Sequence, residues 1–292
     1  MKNLLSFRFY ESQTTSGLTP ELKGFLNQST EGTWSVNPTT GLVDVQGDFD
    51  CSGKGLKSLS GISFGHVSGN FYCSYNQLTS LEGAPQTVDG NFYCSQNRLT
   101  SLAGAPQTVC GNFHCDSNQL TSLEGAPQTV NGYFSCQRNQ LTSLEGVPRT
   151  VGGRFDCEDN QLTSLAGAPR KVGGNFKCYT NRLTSLEGAP QTVDGYFTCD
   201  EFKLDQGKWN MEGWLKVRNT GTAAARKLIL TLPWINPDWW NSELQRDPGK
   251  TVHLLAPWWK DMPENMKSKI KIPSGYENEF NLFSEFDELG LF

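Results

Sequence analysis

No run of eighteen apolar residues occurs anywhere in the 292-residue sequence, so a membrane-spanning helix is not expected. Basic residues are also short: 25 lysines and arginines stand against 30 aspartates and glutamates. Gripping a phosphate backbone takes a basic stripe, so nucleic acid is not expected as a partner. Charged residues make up only 19% of the chain while glycines number 30, which argues for many turns rather than the helices of a bundle. No phosphate-binding loop, catalytic triad or metal-ligand cluster stands out, so neither enzymatic activity nor a cofactor or metal is expected. The opening MKNLLSFRFYESQ places charges inside its short apolar stretch and does not read as a signal peptide. A reducing, cytoplasmic setting is therefore expected for the nine cysteines.

What is present is a repeat. GNFYCSYNQLTSLEGAPQTVD begins at Gly69 and GNFYCSQNRLTSLAGAPQTVC at Gly90, and the pattern returns at Gly111, Gly132, Gly153, Gly174 and Gly195. The period is 21 residues without slip, and a degenerate copy with Gly47, Phe49, Cys51 and Leu56 precedes it. Such a fixed period indicates a solenoid of stacked rungs, about eight here. Phenylalanines from Phe49 to Phe197 form one column and cysteines from Cys51 to Cys199 another. The two lie two residues apart and face the same way on a strand. The paired leucines, such as Leu78 and Leu81, fit a turn that points both inward. Asn76, Asn97, Asn118, Asn139, Asn160 and Asn181 follow the cysteine by three, where a buried amide can bond turn backbone.

The segment Phe71-x-Cys73-x-x-Asn76-x-Leu78 resembles the leucine-rich-repeat signature, with Phe and Cys in leucine positions, over residues 45–204. The prolines Pro85, Pro106, Pro127, Pro148, Pro169 and Pro190 resemble those on the convex side of the short bacterial class. The resemblance implies an α/β repeat fold: a leucine-rich-repeat solenoid with one short strand per rung and a parallel β-sheet on the concave face. The pattern departs at Val67, four residues before Phe71 rather than three, and Gly69 is expected to absorb the extra residue.

Eight cysteines in register suggest either a metal site or a core column. Ligands must converge on one point, whereas these form a line, so the core column is favoured. Cys110 departs from the column and is expected near the surface. If Phe and Cys point inward, the residues around them point out. These outward columns change from copy to copy, whereas the Gln-Thr and Leu-Thr-Ser segments recur nearly unchanged. Tyr72, Tyr93, His114, Asp116, Tyr133, Arg154, Asp156, Glu158, Lys177, Tyr179 and Tyr196 are the candidate partner-binding residues, because tyrosine and arginine are the usual anchors of protein interfaces. No serine or cysteine stands ready to make His114 catalytic.

The organisation expected is an N-terminal cap over 1–43, a solenoid over 44–204 and a tryptophan-rich helical region over 205–292, with an acidic, aromatic tail. Thr19 and Pro20 mark a helix start, and Trp34 to Val43 reads as strand, turn and strand. Helices are expected at 208–218, 222–232, 237–246 and 248–260, with Thr222, Asn236 and Asp247 as caps. The tryptophans fit either a sugar site or a plain aromatic core, the latter being favoured. The tail fits either a docking peptide or a segment folded back on this region.

The repeats, the opening MKNLLSFRFYESQ and the closing FDELGLF resemble leucine-rich-repeat proteins of large tailed bacteriophages, which implies action in the infected host's cytoplasm or in the virion. The function expected is a protein-interaction module engaging a host protein. A structural virion component is the alternative. A ubiquitin ligase of the secreted leucine-rich-repeat type would need a cysteine nucleophile after the repeats, and none follows Cys199. Ice binding would rest on the single threonine column from Thr79 to Thr184.

Overall fold

Two side chains per turn, one phenylalanine and one cysteine, build the inner wall. In the computed structural model, which describes residues 18–184, 186–199, 202–205, 237–259 and 264–278, the repeats form a parallel β-solenoid. Phe49, Phe71, Phe92, Phe113, Phe134, Phe155, Phe176 and Phe197 pair in register along one ladder of parallel strands, which about seven turns connect. All eight rings are fully buried, with neighbouring centroids 5.1 to 5.5 Å apart. The cysteines two residues on are buried beside them.

The turn carries a second strand that the repeat pattern did not reveal. Thr87–Val88, Thr108–Val109, Thr129–Val130, Thr150–Val151, Lys171–Val172 and Thr192–Val193 form another parallel ladder, which starts on Phe64–Val67. A two-residue strand buries one valine, so it shows no alternation from which a period of two could be read. The corner between the ladders explains the extra residue before each phenylalanine. Asp89 and Gly90 both donate their amides to the preceding turn, to the Val67 and Gly69 carbonyls, each at 3.0 Å. A side chain at Gly90 would bring its Cβ within 2.6 Å of the Gly69 carbonyl oxygen, which explains the glycine. Leu78, Leu81 and their counterparts fill the opposite side of the turn, and Pro85, Pro106 and Pro127 are buried there.

One asparagine per turn stitches the coils. The Asn97 side-chain oxygen accepts the Leu78 amide at 3.0 Å, and its nitrogen donates to the Cys73 and Cys94 carbonyls, each at 3.0 Å. Asn76, Asn118, Asn139, Asn160 and Asn181 repeat this arrangement.

Antiparallel strands close the first ladder at each end. Strand β1 (Thr30–Val36) pairs antiparallel with β2 (Val43–Asp50), and Phe202–Asp205 pairs with Tyr196–Cys199. The expected strand, turn and strand around Trp34 is thus present, its turn held by the Asn37 side chain, which accepts the Thr39 and Thr40 amides. Helix α1 (Pro20–Ser29) begins at Thr19, whose hydroxyl accepts the Leu22 amide at 3.3 Å. It buries Leu26 and sets Phe25 edge-on against Phe49 at 5.9 Å.

Two of the expected C-terminal helices are observed, Pro237–Arg246 and Pro248–Trp259. Asp247 accepts the Lys250 amide at 3.2 Å, as a cap should. Trp240, Leu244, Val252 and Leu255 are buried, so this tryptophan serves as core. The helices expected at 208–218 and 222–232 and the acidic tail lie outside the described residues. No helix among the described residues is long and apolar enough to cross a membrane.

Two predictions follow from these columns. Asn118→Ala strips partners from the buried Leu99 amide and from the Cys94 and Cys115 carbonyls. The expected loss is about 2–4 kcal/mol, read by urea unfolding against the exposed control Gln119→Ala. The thiols give a pH dependence. Burial pushes Cys51 up to about 12, and it also raises Cys73, Cys94, Cys115, Cys136 and Cys157 from an ordinary value of 9.0. Their contribution is complete below pH 9 and is lost above it, because thiols in the unfolded chain ionise there while the buried ones do not. Each adds a slope of about 1.4 kcal/mol per pH unit once the unfolded chain is ionised, so six approach about 8. Equilibrium unfolding between pH 8 and 11 should show this steep fall, and a flat profile to pH 10.5 would contradict the buried column.

Candidate functional site

The outward face of the phenylalanine ladder begins as a regular surface. On the first four turns the residue before the phenylalanine is an acceptor: Asp48, Asn70, Asn91 and Asn112 each take the amide of the same position one turn on, at 2.7 to 2.8 Å. Asn175 does the same for Tyr196 at 2.9 Å. This column therefore has a structural task, and its asparagines are not variable contact residues. The sequence pattern placed them among the outward positions without revealing that role.

The ladder of acceptors breaks at Tyr133, whose hydroxyl is directed elsewhere, and at Arg154, whose guanidinium has no acceptor. Both turn instead to Asp156. The Tyr133 hydroxyl donates to Asp156 Oδ2 at 3.0 Å, and the Arg154 guanidinium bonds the same oxygen. The guanidinium carbon also stacks 5.0 Å from the Tyr133 ring centroid. Asp156 Oδ1 accepts the Glu158 amide at 3.3 Å. Asp156 and Ser135 are fully buried, although the strand directs both outward. Ser135 is the smallest residue in its column, and Tyr133 and Arg154 cover the dent it leaves. Asp156 is thus corrected from a contact residue to a buried anchor that holds the two surface side chains in place.

An aromatic stripe leads into this cluster. Tyr72 stacks on Tyr93 at 5.1 Å, Tyr93 on His114 at 4.8 Å, and His114 meets Tyr133 edge-on at 4.9 Å. Asp116 lies beside it, accepting the Ser95 hydroxyl at 2.7 Å, with His114 Nδ1 at 3.6 Å. Burial works to raise the Asp116 carboxyl, but the His114 and Ser95 bonds outweigh it and hold it below its ordinary range. Burial, reinforced by Asp156, raises the Tyr133 phenol above the usual tyrosine range. On the other flank the Glu158 carboxylate beside the Tyr179 hydroxyl leads the causes that push that phenol up to about 12. Lys177 Nζ lies 5.7 Å from the Tyr179 ring centroid.

All eleven candidate residues fall on adjoining turns of this one ladder, Tyr196 on the turn after Lys177. Tyr196 is exposed, and its amide donates to the Asn175 side chain at 2.9 Å. Ser95 and Ser135 complete the arrangement and were missed as site residues. Ser135 carried a signal, as a lone small residue among tyrosine, histidine, aspartate and lysine. Among the described residues no group of three or more His, Cys, Asp or Glu is arranged to hold a metal ion. The column thiols Cys94, Cys115, Cys136, Cys157 and Cys178 donate to the carbonyls of the following turn at 3.2 to 3.4 Å. Cys110 is exposed, as its place outside the column implied.

The architecture defines the class: a parallel β-solenoid of about seven 21-residue turns. No family model matches the chain, and no curated protein or solved structure matches it.

The Arg154–Asp156 pair supplies a test of the cluster. Arg154→Leu leaves the buried Asp156 carboxylate with one side-chain donor, and the expected loss is about 3 kcal/mol. Adding Asp156→Asn should recover most of it, because the stranded charge is gone. A double-mutant cycle by chemical denaturation measures the coupling, and additive effects would show that the pair does not anchor the cluster.

Proposed function

We propose that the protein is a binding module for another protein, and that it works through the outward face of the phenylalanine ladder with Tyr133 and Arg154 at its centre. The observation that carries this is the broken acceptor ladder. At two successive turns the chain gives up an amide-binding asparagine and buries a carboxylate, both against stability. A repeat whose copies otherwise agree departs from its own rule where function requires it. Drift does not explain the departure, because Tyr133, Ser135, Arg154 and Asp156 depart together and complement one another. The result is a rigid set of aromatic and arginine side chains, ordered before any partner arrives, which lowers the entropic cost of binding.

In this proposal the solenoid is of leucine-rich-repeat type, and the binding face is its concave side. The resemblance of the repeats and the two terminal segments to proteins of large tailed bacteriophages supports a reading in which it acts in an infected bacterium, on a host protein, or in the virion. Catalysis has no place in it, since the column thiols are occupied in the core and His114 is stacked between aromatic rings.

The chain supplies its own control. Tyr133→Asn, Ser135→Tyr, Arg154→Asn and Asp156→Tyr together give both turns the Asn-Phe-Tyr-Cys segment found at 70–73 and 91–94. This fourfold variant should fold with the acceptor ladder and tyrosine stack restored. A gain of about 1–2 kcal/mol, or several degrees in melting temperature, is expected. It should also lose the partner that the parent protein captures from bacterial lysate. A variant that is no more stable, or that retains the same partner, would contradict the proposal.

A further inference from the structure

We infer that the partner presents basic side chains to this face, with Asp116 and Glu158 receiving them. The inference rests on the binding proposal and names the chemistry of what is bound. Arg154 neutralises Asp156 within the cluster, so among the described residues the outward columns retain Asp48, Asp50, Asp116 and Glu158 against Lys177. A phosphate backbone or an acidic peptide would meet four carboxylates and one amine. A basic polypeptide meets complementary charge.

The face already shows how it holds a guanidinium. Arg154 lies over the Tyr133 ring while bonding the carboxylate two residues on. Asp116 repeats the combination, a carboxylate two residues after His114, whose ring stacks on Tyr93. No cation of this chain bonds Asp116 among the described residues unless His114 is protonated. Glu158 adds a second carboxylate beside the Tyr179 hydroxyl, and its Oε2 has no hydrogen-bond partner among the described residues. The two carboxylates stand two turns apart, about 10 Å at the spacing of parallel strands, within reach of two basic side chains of one extended segment.

The test uses the full chain and fluorescently labelled octa-arginine, octa-lysine and octa-glutamate peptides in 0.1 M salt. The parent should bind the two basic peptides and not octa-glutamate. Asp116→Asn with Glu158→Gln should weaken octa-arginine at least tenfold. Glu124→Gln with Glu145→Gln changes net charge equally on exposed loops elsewhere and should leave affinity within twofold. Thermal unfolding confirms that both variants are folded. Equal weakening by the two variants, binding of octa-glutamate, or no binding of octa-arginine would overturn the inference. The fourfold variant separates its failure from that of the binding proposal. If a protein partner depends on the face but octa-arginine does not, only the basic chemistry falls. If neither depends on the face, both fall.

Discussion

The bond between one turn and the next is the constraint on which the rest depends. A single turn of 21 residues cannot bury its own phenylalanine and leucines, so each is stable only against its neighbours. In-register stacking imposes two demands at every position. Side chains of one column must tolerate being repeated along the stack, and most buried amides must find an acceptor one turn away. Phenylalanine meets the first by stacking its ring face on the next. Cysteine meets it by being small and apolar enough to line up beside those rings while its thiol reaches a carbonyl of the following turn. The buried asparagine meets the second where the chain leaves the strand and regular pairing ends. Nothing else in the turn could supply both an acceptor and a donor in so small a space.

This accounts for what was legible in the sequence. Columns that must repeat do repeat, so the phenylalanine, cysteine, asparagine and leucine positions could be assigned by comparing copies within one chain. The second ladder was not legible, because its repeated strands are two residues long and the threonine or lysine beside each valine is equally at home in a turn. The corner glycine was legible as an extra residue, but its reason lies in two consecutive amides aimed at the same neighbouring turn, which only coordinates reveal. The helix starts at Thr19 and Asp247 followed from capping chemistry, which is local and therefore readable.

The candidate site divides along the same line. That the outward columns vary was plain from the copies. That Asp156 lies beneath the surface was not, because burial there depends on Ser135 being small and on two side chains from neighbouring turns closing over it. Sequence alternation gives the direction of a side chain. It does not give what lies on top of it. The acceptor role of Asn70, Asn91 and Asn112 was hidden for a related reason, since the bond runs between turns and leaves no mark within one copy.

A solenoid confines the energetic consequences of such a site. In a compact domain a buried carboxylate and two lost amide bonds would strain a shared core. Here each turn contacts only its neighbours, so the destabilisation stays between Asn112 and Asn175, where the acceptor ladder stops and resumes. The turns on either side keep their full complement of stacked rings and asparagine bonds and hold the interrupted ones in register. The repeat thus separates two tasks that compete elsewhere. Inward columns are uniform because stacking demands it. Outward columns can differ because the register is already fixed beneath them. The interruption is confined to the outward face: Phe134, Cys136, Asn139, Phe155, Cys157 and Asn160 remain unchanged directly below it.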